Sequence, residues 1–230
     1  MTEPARPTRR ELFRMFATVG AITASATLLE ACGASPQGPA EASAQTPTHP
    51  GALIMIIRHG EKPDSSGSPQ GVDPDGKQDS HALTPRGWQR ASALVPLFAP
   101  ANGALRPGLA RPTAIYASGG TTKEGLRTRQ TVTPLATKLG LTLDTQFSKG
   151  EETALAQDVA RRTGPTLICW QHGELPAIPA ALTGITPAAP THWPGKRFDL
   201  IWTLTPNAGG WSFQQIPELI LDGDSAESIA

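Results

Sequence analysis

ALIMIIRHGE, at residues 52–61, joins six apolar residues to an arginine, a histidine and a glycine. An apolar run of this length is typical of a strand that is buried on both faces in a parallel sheet. Ligands of open α/β sheets bind beyond the carboxyl ends of the strands, so we expect Arg58 and His59 on the floor of a site. Taken alone, the motif also fits a strand that ends in solvated polar residues.

The residue types at this strand end suit phosphoryl chemistry. Arg58 carries a planar, charged fork that matches the geometry of phosphate oxygens. His59 supplies a nitrogen nucleophile when its ring is neutral. Gly60 lets the backbone turn sharply and approach a ligand closely.

Composition narrows the classes of partner. The 230 residues have a formal net charge of zero, so the chain lacks the basic excess that nucleic-acid binding requires. Cys32 and Cys169 do not have zinc-ligand spacing, and we predict neither a metal site nor a cofactor. Nothing in the sequence indicates an oligomeric state.

Residues 1–31 predict an export signal. Arg9 and Arg10 precede a short apolar stretch from Met15 to Leu29, which is too weakly apolar for a spanning helix. The paired arginines resemble a twin-arginine translocation signal. Residues 32–50 are rich in Ala, Pro, Ser, Gln and Thr and predict a flexible tether, followed by one folded domain at 51–230.

The segment LEACG, at residues 29–33, resembles a bacterial lipoprotein box, in which Cys32 would be lipidated. The alternative is an ordinary signal peptide with a chance cysteine. Acyl chains on Cys32 would tether the protein to a membrane surface. We therefore expect an exported protein of the cell envelope or periplasm that is anchored through Cys32.

Two further buried strands are predicted at Thr113–Ser118 and Thr166–Trp170. Arg127 falls in the first turns of the helix that follows the former, and helix N-termini favour anions. His172 directly follows the latter. Both residues are therefore expected at the same edge of the sheet as the first motif.

Other segments predict supporting structure. Thr84 and Pro85 predict a helix start, and Phe198–Leu204 with Trp211–Ile216 predict a closing hairpin. Several polar positions are expected at the surface: Arg86 and Arg90 on a solvated helix face, His81 and His192 in loops, and a frayed tail from Leu221. For His81, which lies just before the start of the helix, the alternative is that it faces the site.

Four segments in this order resemble the histidine phosphatase superfamily, the phosphoglycerate-mutase-like proteins. They are RHGE at 58–61, LTPRG at 83–87, RTRQT at 127–131 and HG at 172–173. The resemblance implies a three-layer α/β/α sandwich with a mostly parallel central sheet. It also implies a small phosphorylated substrate.

The resemblance implies roles for individual residues as well. His59 would carry the phosphoryl group, while Arg58, Arg127 and His172 would hold its oxygens. Arg129 is an alternative to Arg127. The proton donor is expected about 25 residues beyond the helix arginine, where Glu152 and Glu151 stand, and the helix dipole alone would also explain two acidic residues there. Glu174 and Glu61 are the other candidates.

The sequence therefore predicts an exported phosphomonoesterase that acts through a phosphohistidine. The alternative is a catalytically silent lipoprotein that binds phosphate or a phosphorylated ligand, because a fold does not guarantee an activity. A surface lipoprotein with a structural role is a third possibility.

Overall fold

The computed structural model describes residues 52–121 and 123–230. The export signal at 1–31, the tether at 32–50 and Cys32 lie outside the described residues and stay predictions. Within the part that is described, no helix is long and apolar enough to cross a bilayer.

A seven-stranded sheet forms the centre of the fold, in the order β3-β2-β4-β1-β6-β7-β5. Parallel pairs join β1 to β4, β4 to β2 and β2 to β3, whereas β6 runs antiparallel to both β1 and β7. The predicted, mostly parallel sheet and its closing hairpin are thus confirmed. The strands are β1 (Leu53–Arg58), β2 (Ala114–Ala117), β3 (Leu143–Asp144), β4 (Pro165–Trp170), β5 (Ile185–Thr186), β6 (Leu200–Asn207) and β7 (Gly210–Pro217).

Helices cover both faces of the sheet, as the predicted three-layer architecture requires. Successive side chains of β1 point to opposite faces. Met55 and Ile57 pack in the core cluster that contains residues of α1 and α2, while Ile54 and Ile56 pack in the cluster that contains residues of α3 and α4. The helices are α1 (Pro85–Phe98), α2 (Leu126–Leu139), α3 (Glu152–Ala160) and α4 (Ala177–Ala180).

The start of α1 packs directly against the turn that follows β1. Thr84 caps the helix, as predicted, by accepting a hydrogen bond from the Gly87 amide at 3.2 Å. A Cβ at Gly87 would stand 2.5 Å from the Glu61 carbonyl oxygen, and one at Gly60 would stand 2.9 Å from that of Gly87. Only glycine at both positions permits this approach of two backbones.

Two edge strands differ from expectation. β3 is the edge strand that the alternation of residues 141–147 predicts, but it comprises Leu143–Asp144 alone. β5, at Ile185–Thr186, pairs with β7 where the sequence predicts the start of a proline-rich loop. Both pairings depend on neighbours that are distant in sequence, which local patterns do not report.

The prediction that Arg90 lies on a solvated face is wrong. Its side chain is 2% exposed, and its guanidinium donates to Glu61 at 2.8 Å, to Glu218 at 2.6 Å and to Asp224 at 2.7 Å. Burial raises the pKa of Glu218 to about 8. Arg86 conforms better to the prediction, because its side chain is 44% exposed.

The prediction of a frayed tail is also wrong. Asp224 accepts hydrogen bonds from Arg90 and from the Ile220 and Leu221 amides. Further along, Gln215 exchanges two hydrogen bonds with the backbone of Ile229. The last residues therefore pack against α1 and β7 although they form no regular element.

We predict that Arg90→Met destabilises the fold by about 3–5 kcal/mol, because it leaves three carboxylates without their shared cation. Arg86→Met is the matched control on the same helix and should cost about 1 kcal/mol or less. Urea unfolding followed by circular dichroism measures both. Equal effects of the two substitutions would contradict the structural role of Arg90.

Candidate functional site

The register of two neighbouring strands brings the two histidine motifs together. β1 and β4 run parallel with Arg58 opposite Trp170. The His59 amide also donates to the Trp170 carbonyl at 3.1 Å. The residues that follow the two strands, His59 on one and His172 on the other, therefore emerge at the same edge of the sheet. The convergence expected from the sequence is present.

His59 is held with one ring nitrogen available for attack. The ring is 4% exposed, and Nδ1 lies 2.7 Å from the Gly60 carbonyl oxygen. A carbonyl can only accept, so Nδ1 carries the proton and Nε2 keeps its lone pair. Burial, with Arg58 next in weight, lowers the pKa of His59 to about 3. The ring is therefore neutral at physiological pH.

Arg58 presents two buried donors beside this histidine. Its Nη1 donates to the carbonyls of Gly195 at 2.8 Å and Arg197 at 2.9 Å, and its guanidinium lies 3.7 Å above the Phe198 ring. Among the described residues, neither Nε nor Nη2 has a hydrogen-bond partner. These two groups form one side of the guanidinium fork and fit an oxyanion. Burial lowers the pKa of Arg58 to about 9, so it remains a cation.

The three uncharged residues of the RTRQT motif each accept a hydrogen bond from a different part of the backbone around the site. Thr131 accepts from the Gly60 amide at 2.8 Å and so secures the turn after His59. Thr128 accepts from the Ser118 amide at the end of β2, and Gln130 accepts from the Leu83 amide before α1. The start of α2 is thereby fastened to three neighbouring segments.

Arg127, not Arg129, is placed at the site. Arg127 lines a small pocket with His59 and contributes to lowering the pKa of that histidine. Its guanidinium is steadied by the carbonyls of Ser80 and Ala82. Arg129 instead donates to carbonyls of the β2–α2 connection, including Ser118 at 2.9 Å and Glu124 at 3.0 Å.

His172 shares the electrostatic environment of the other three residues. Burial is the largest cause of the lowered pKa of His172, and the cations Arg58 and Lys62 lower this pKa further. The negative charge of Glu174 raises the pKa of His172 and so acts against these cations. Since His172 in turn lowers the pKa of His59, the two imidazoles and both arginines act on one another within a single cationic site.

Two residues at the site, Lys62 and Gln171, escaped the sequence-based assignment, and His81 takes the alternative place that faces the site. Burial and the nearby Arg127 and Arg58 lower the pKa of Lys62, which places a third cation here. His81 and Gln171 line the pocket of about 70 Å³ with His59 and Arg127. Their positions gave a signal, because Lys62 directly follows RHGE and Gln171 directly precedes His172.

The carboxylates considered as proton donors occupy different settings. Glu151 is exposed and its carboxylate accepts from the Ser148 amide at 2.7 Å, in the loop before α3, rather than capping that helix. Glu152 is 6% exposed and accepts from Trp170 Nε1 at 2.9 Å and from the Gly150 amide at 3.0 Å. Glu174 pairs with Lys149 at 2.6 Å, and Glu61 belongs to the Arg90 cluster.

A metal-binding cluster would need several His, Cys, Asp or Glu side chains together. In the described ranges no group of three or more of these residues could hold a metal ion. Positive charge at this site comes from side chains of the protein itself.

Comparison with known proteins gave structural matches only. No protein-family profile matches the sequence, and no curated protein matches it either.

Three solved structures illustrate the structural similarity. The first is the putative phosphohistidine phosphatase SixA from Agrobacterium tumefaciens, with 16% identity and a TM-score of 0.40 over 71% of this chain and 94% of that one. The second is a mutant phosphoserine phosphatase from Entamoeba histolytica in complex with phosphoserine, with 15% identity and a TM-score of 0.43 over 70% of this chain and 94% of that one. The third is the ecdysone phosphate phosphatase from Bombix mori in complex with tungstate, with 14% identity and a TM-score of 0.44 over 77% of this chain and 97% of that one. All three are phosphatases by name.

We predict that the neutral state of His59 makes the fold sensitive to acid. Below a pH of about 6.5 the unfolded chain binds a proton on this histidine that the folded chain excludes until about pH 3. The free energy of unfolding should therefore fall as the pH falls, by up to about 1.4 kcal/mol per unit from this group. His59→Gln should remove that part of the slope in urea unfolding between pH 6.5 and 4.

His49→Gln replaces a histidine of the predicted tether and serves as the control, which should keep the wild-type slope. If the free energy of unfolding of His59→Gln kept the pH dependence of the wild type, the prediction would be wrong, because His59 would then bind protons equally in the folded and unfolded chains.

Proposed function

We propose that this protein is a phosphomonoesterase of the histidine phosphatase superfamily that forms a phosphohistidine on His59. The observation that carries the proposal is the pairing of a buried, neutral His59, whose Nε2 keeps its lone pair, with two donors of Arg58 that have no partner among the described residues. A neutral imidazole among cations suits attack on a phosphorus that bears negative oxygens.

In the first step the lone pair of His59 Nε2 forms a bond to phosphorus while the bond to the ester oxygen breaks. The oxygen leaves as an alcohol after taking a proton from an acidic side chain. The ring gains positive charge as it is phosphorylated, and its Nδ1–H bond to the Gly60 carbonyl stabilises that charge. Arg58, Arg127 and His172 hold the phosphoryl oxygens.

In the second step a water oxygen forms a bond to phosphorus and the nitrogen–phosphorus bond breaks. The water loses a proton to the group that served as the acid, and His59 returns to its neutral state. Phosphate is the product, and the cycle requires no reactant besides the ester and water.

We propose Glu152 as the proton donor. Both of its hydrogen bonds fall on Oε1, so Oε2 is the oxygen that can carry the proton. Trp170 Nε1, one of the two donors, belongs to the residue just before Gln171 and His172. Glu174 is the competing assignment, because it acts on the pKa of His172.

The setting of the reaction follows from the N-terminal sequence. We propose that the enzyme acts outside the cytoplasm on a small phosphorylated molecule while it is anchored through Cys32. The support for this placement is the export signal and the lipoprotein box alone.

We predict that His59→Ala lowers the rate of phosphate release from p-nitrophenyl phosphate by about 10³-fold or more, because the nucleophile is removed. Rapid quenching of the wild-type enzyme should trap an acid-labile phosphorylated form that the variant lacks. His49→Ala removes a histidine of the predicted tether and should leave both measurements unchanged.

Full activity in His59→Ala would contradict the mechanism. Calorimetry that detects tight phosphate binding without turnover of any ester would instead favour the silent binding protein.

We predict that Glu152→Gln distinguishes substrates by their leaving groups. The amide introduced by this substitution can still accept from Trp170, but it cannot supply a proton. Hydrolysis of an alkyl phosphate should fall by about 10²–10⁴-fold, whereas p-nitrophenyl phosphate, whose leaving group needs little protonation, should be affected far less. Glu174→Gln is the matched control, and the same selective loss in that variant would assign the proton to Glu174.

A further inference from the structure

The pocket at His59 and Arg127 is too small for a whole substrate. Its volume is about 70 Å³, which suits a phosphoryl group, so the organic part of the ester must lie elsewhere. A second pocket of about 480 Å³ lies beside α4, and we call it the α4 pocket. Pockets of about 300–1,000 Å³ are typical of small-molecule sites.

The α4 pocket adjoins the phosphate site at both ends of its wall. The wall begins at Gly173, the residue after His172, and ends at Thr191, the residue before His192. His192 acts on the pKa of His172, so the far end of the wall returns to the same imidazole.

The loop that continues from the pocket wall also covers the phosphate site. A Cβ atom added at Gly195 would lie 3.7 Å from His172 Nε2, so the backbone of this loop passes close to the imidazole. Arg58 Nη1 donates to the Gly195 and Arg197 carbonyls in the same loop. The wall of the α4 pocket and the roof of the phosphate site are therefore one continuous segment.

The chemistry of the lining is apolar. None of the described side chains that line the pocket is charged, and the one hydroxyl belongs to Thr191 at its end. The remaining wall is made of small or aliphatic residues, which include Pro176, Ala177, Ala180, Leu182, Ile185 and Ala189. A sugar or an amino acid placed here would find partners only in backbone groups and the Thr191 hydroxyl, so it would lose more hydrogen bonds to water than it gains.

We propose that the α4 pocket binds the leaving group and that the substrates are phosphomonoesters of apolar alcohols. This inference rests on the proposed phosphatase activity and adds the class of alcohol. The phosphate would occupy the site of Arg58, His59 and Arg127, and the hydrocarbon part would extend past His172 along α4.

The test compares butyl, hexyl and octyl phosphate with glucose 6-phosphate on the full chain. The three alkyl esters have leaving groups of nearly equal basicity, so kcat/KM reports burial of the chain. We expect kcat/KM to rise by up to about fourfold per methylene. Glucose 6-phosphate should react at least about tenfold more slowly than hexyl phosphate, because its hydroxyls would be buried without partners.

Ala180→Phe fills the pocket from an exposed position of its wall. It should abolish the increase in kcat/KM from butyl to octyl phosphate, because the added ring occupies the space that the longer alkyl chains would fill. Ala154→Phe makes the same change at an exposed position of α3 outside the pocket and should preserve the increase.

Two failures have different meanings. A flat dependence on chain length, or faster turnover of glucose 6-phosphate, in an enzyme that hydrolyses p-nitrophenyl phosphate would overturn the assignment of the α4 pocket alone. Absence of turnover of p-nitrophenyl phosphate itself would overturn the proposed phosphatase activity, and the pocket assignment with it.

Discussion

The parallel pairing of β1 with β4 is the constraint on which the site depends. Arg58 stands opposite Trp170, so the next residues of both strands leave the sheet side by side. A slip of one residue in this register would send the Arg58 side chain to the other face and carry it away from Phe198. The apolar runs of the two strands, buried on both faces, hold the register in place because any slip would expose part of the core.

Charge at the site is one-sided. Burial lowers the pKa of Arg58, Lys62 and Arg127, and the cations also depress both histidines. Burial is the largest cause of each of these shifts, and for Arg58, Lys62 and both histidines the neighbouring cations add to it. An anion bound here is attracted by the whole group rather than by one partner, in a setting where water screens little. The product phosphate is such an anion, so its departure opposes the same attraction that gathers the substrate.

Local patterns in the sequence were sufficient for the parts of the fold that depend on local physics. The apolar runs marked β1, β2 and β4, and Thr84 with Pro85 marked the start of α1, because each signal is contained in a few adjacent residues. Arg90 was misassigned since its carboxylates arrive from the end of the chain, although its spacing from Leu94 placed it on the buried stripe. The edge strand β3 was predicted from local alternation, although it is shorter than the pattern indicates, whereas β5 depends on pairing with β7, a contact that no neighbouring residue encodes.

The cluster around Arg90 also bears on how the chain reaches its folded state. Glu218 and Asp224 are synthesised well after Glu61 and α1. Until the tail emerges, the buried guanidinium lacks two of its three carboxylates, and α1 cannot be sealed against the turn behind His59. Completion of the domain therefore waits for synthesis of residue 224, and a nascent chain that stops short of it lacks two of the ion pairs that hold α1 in place.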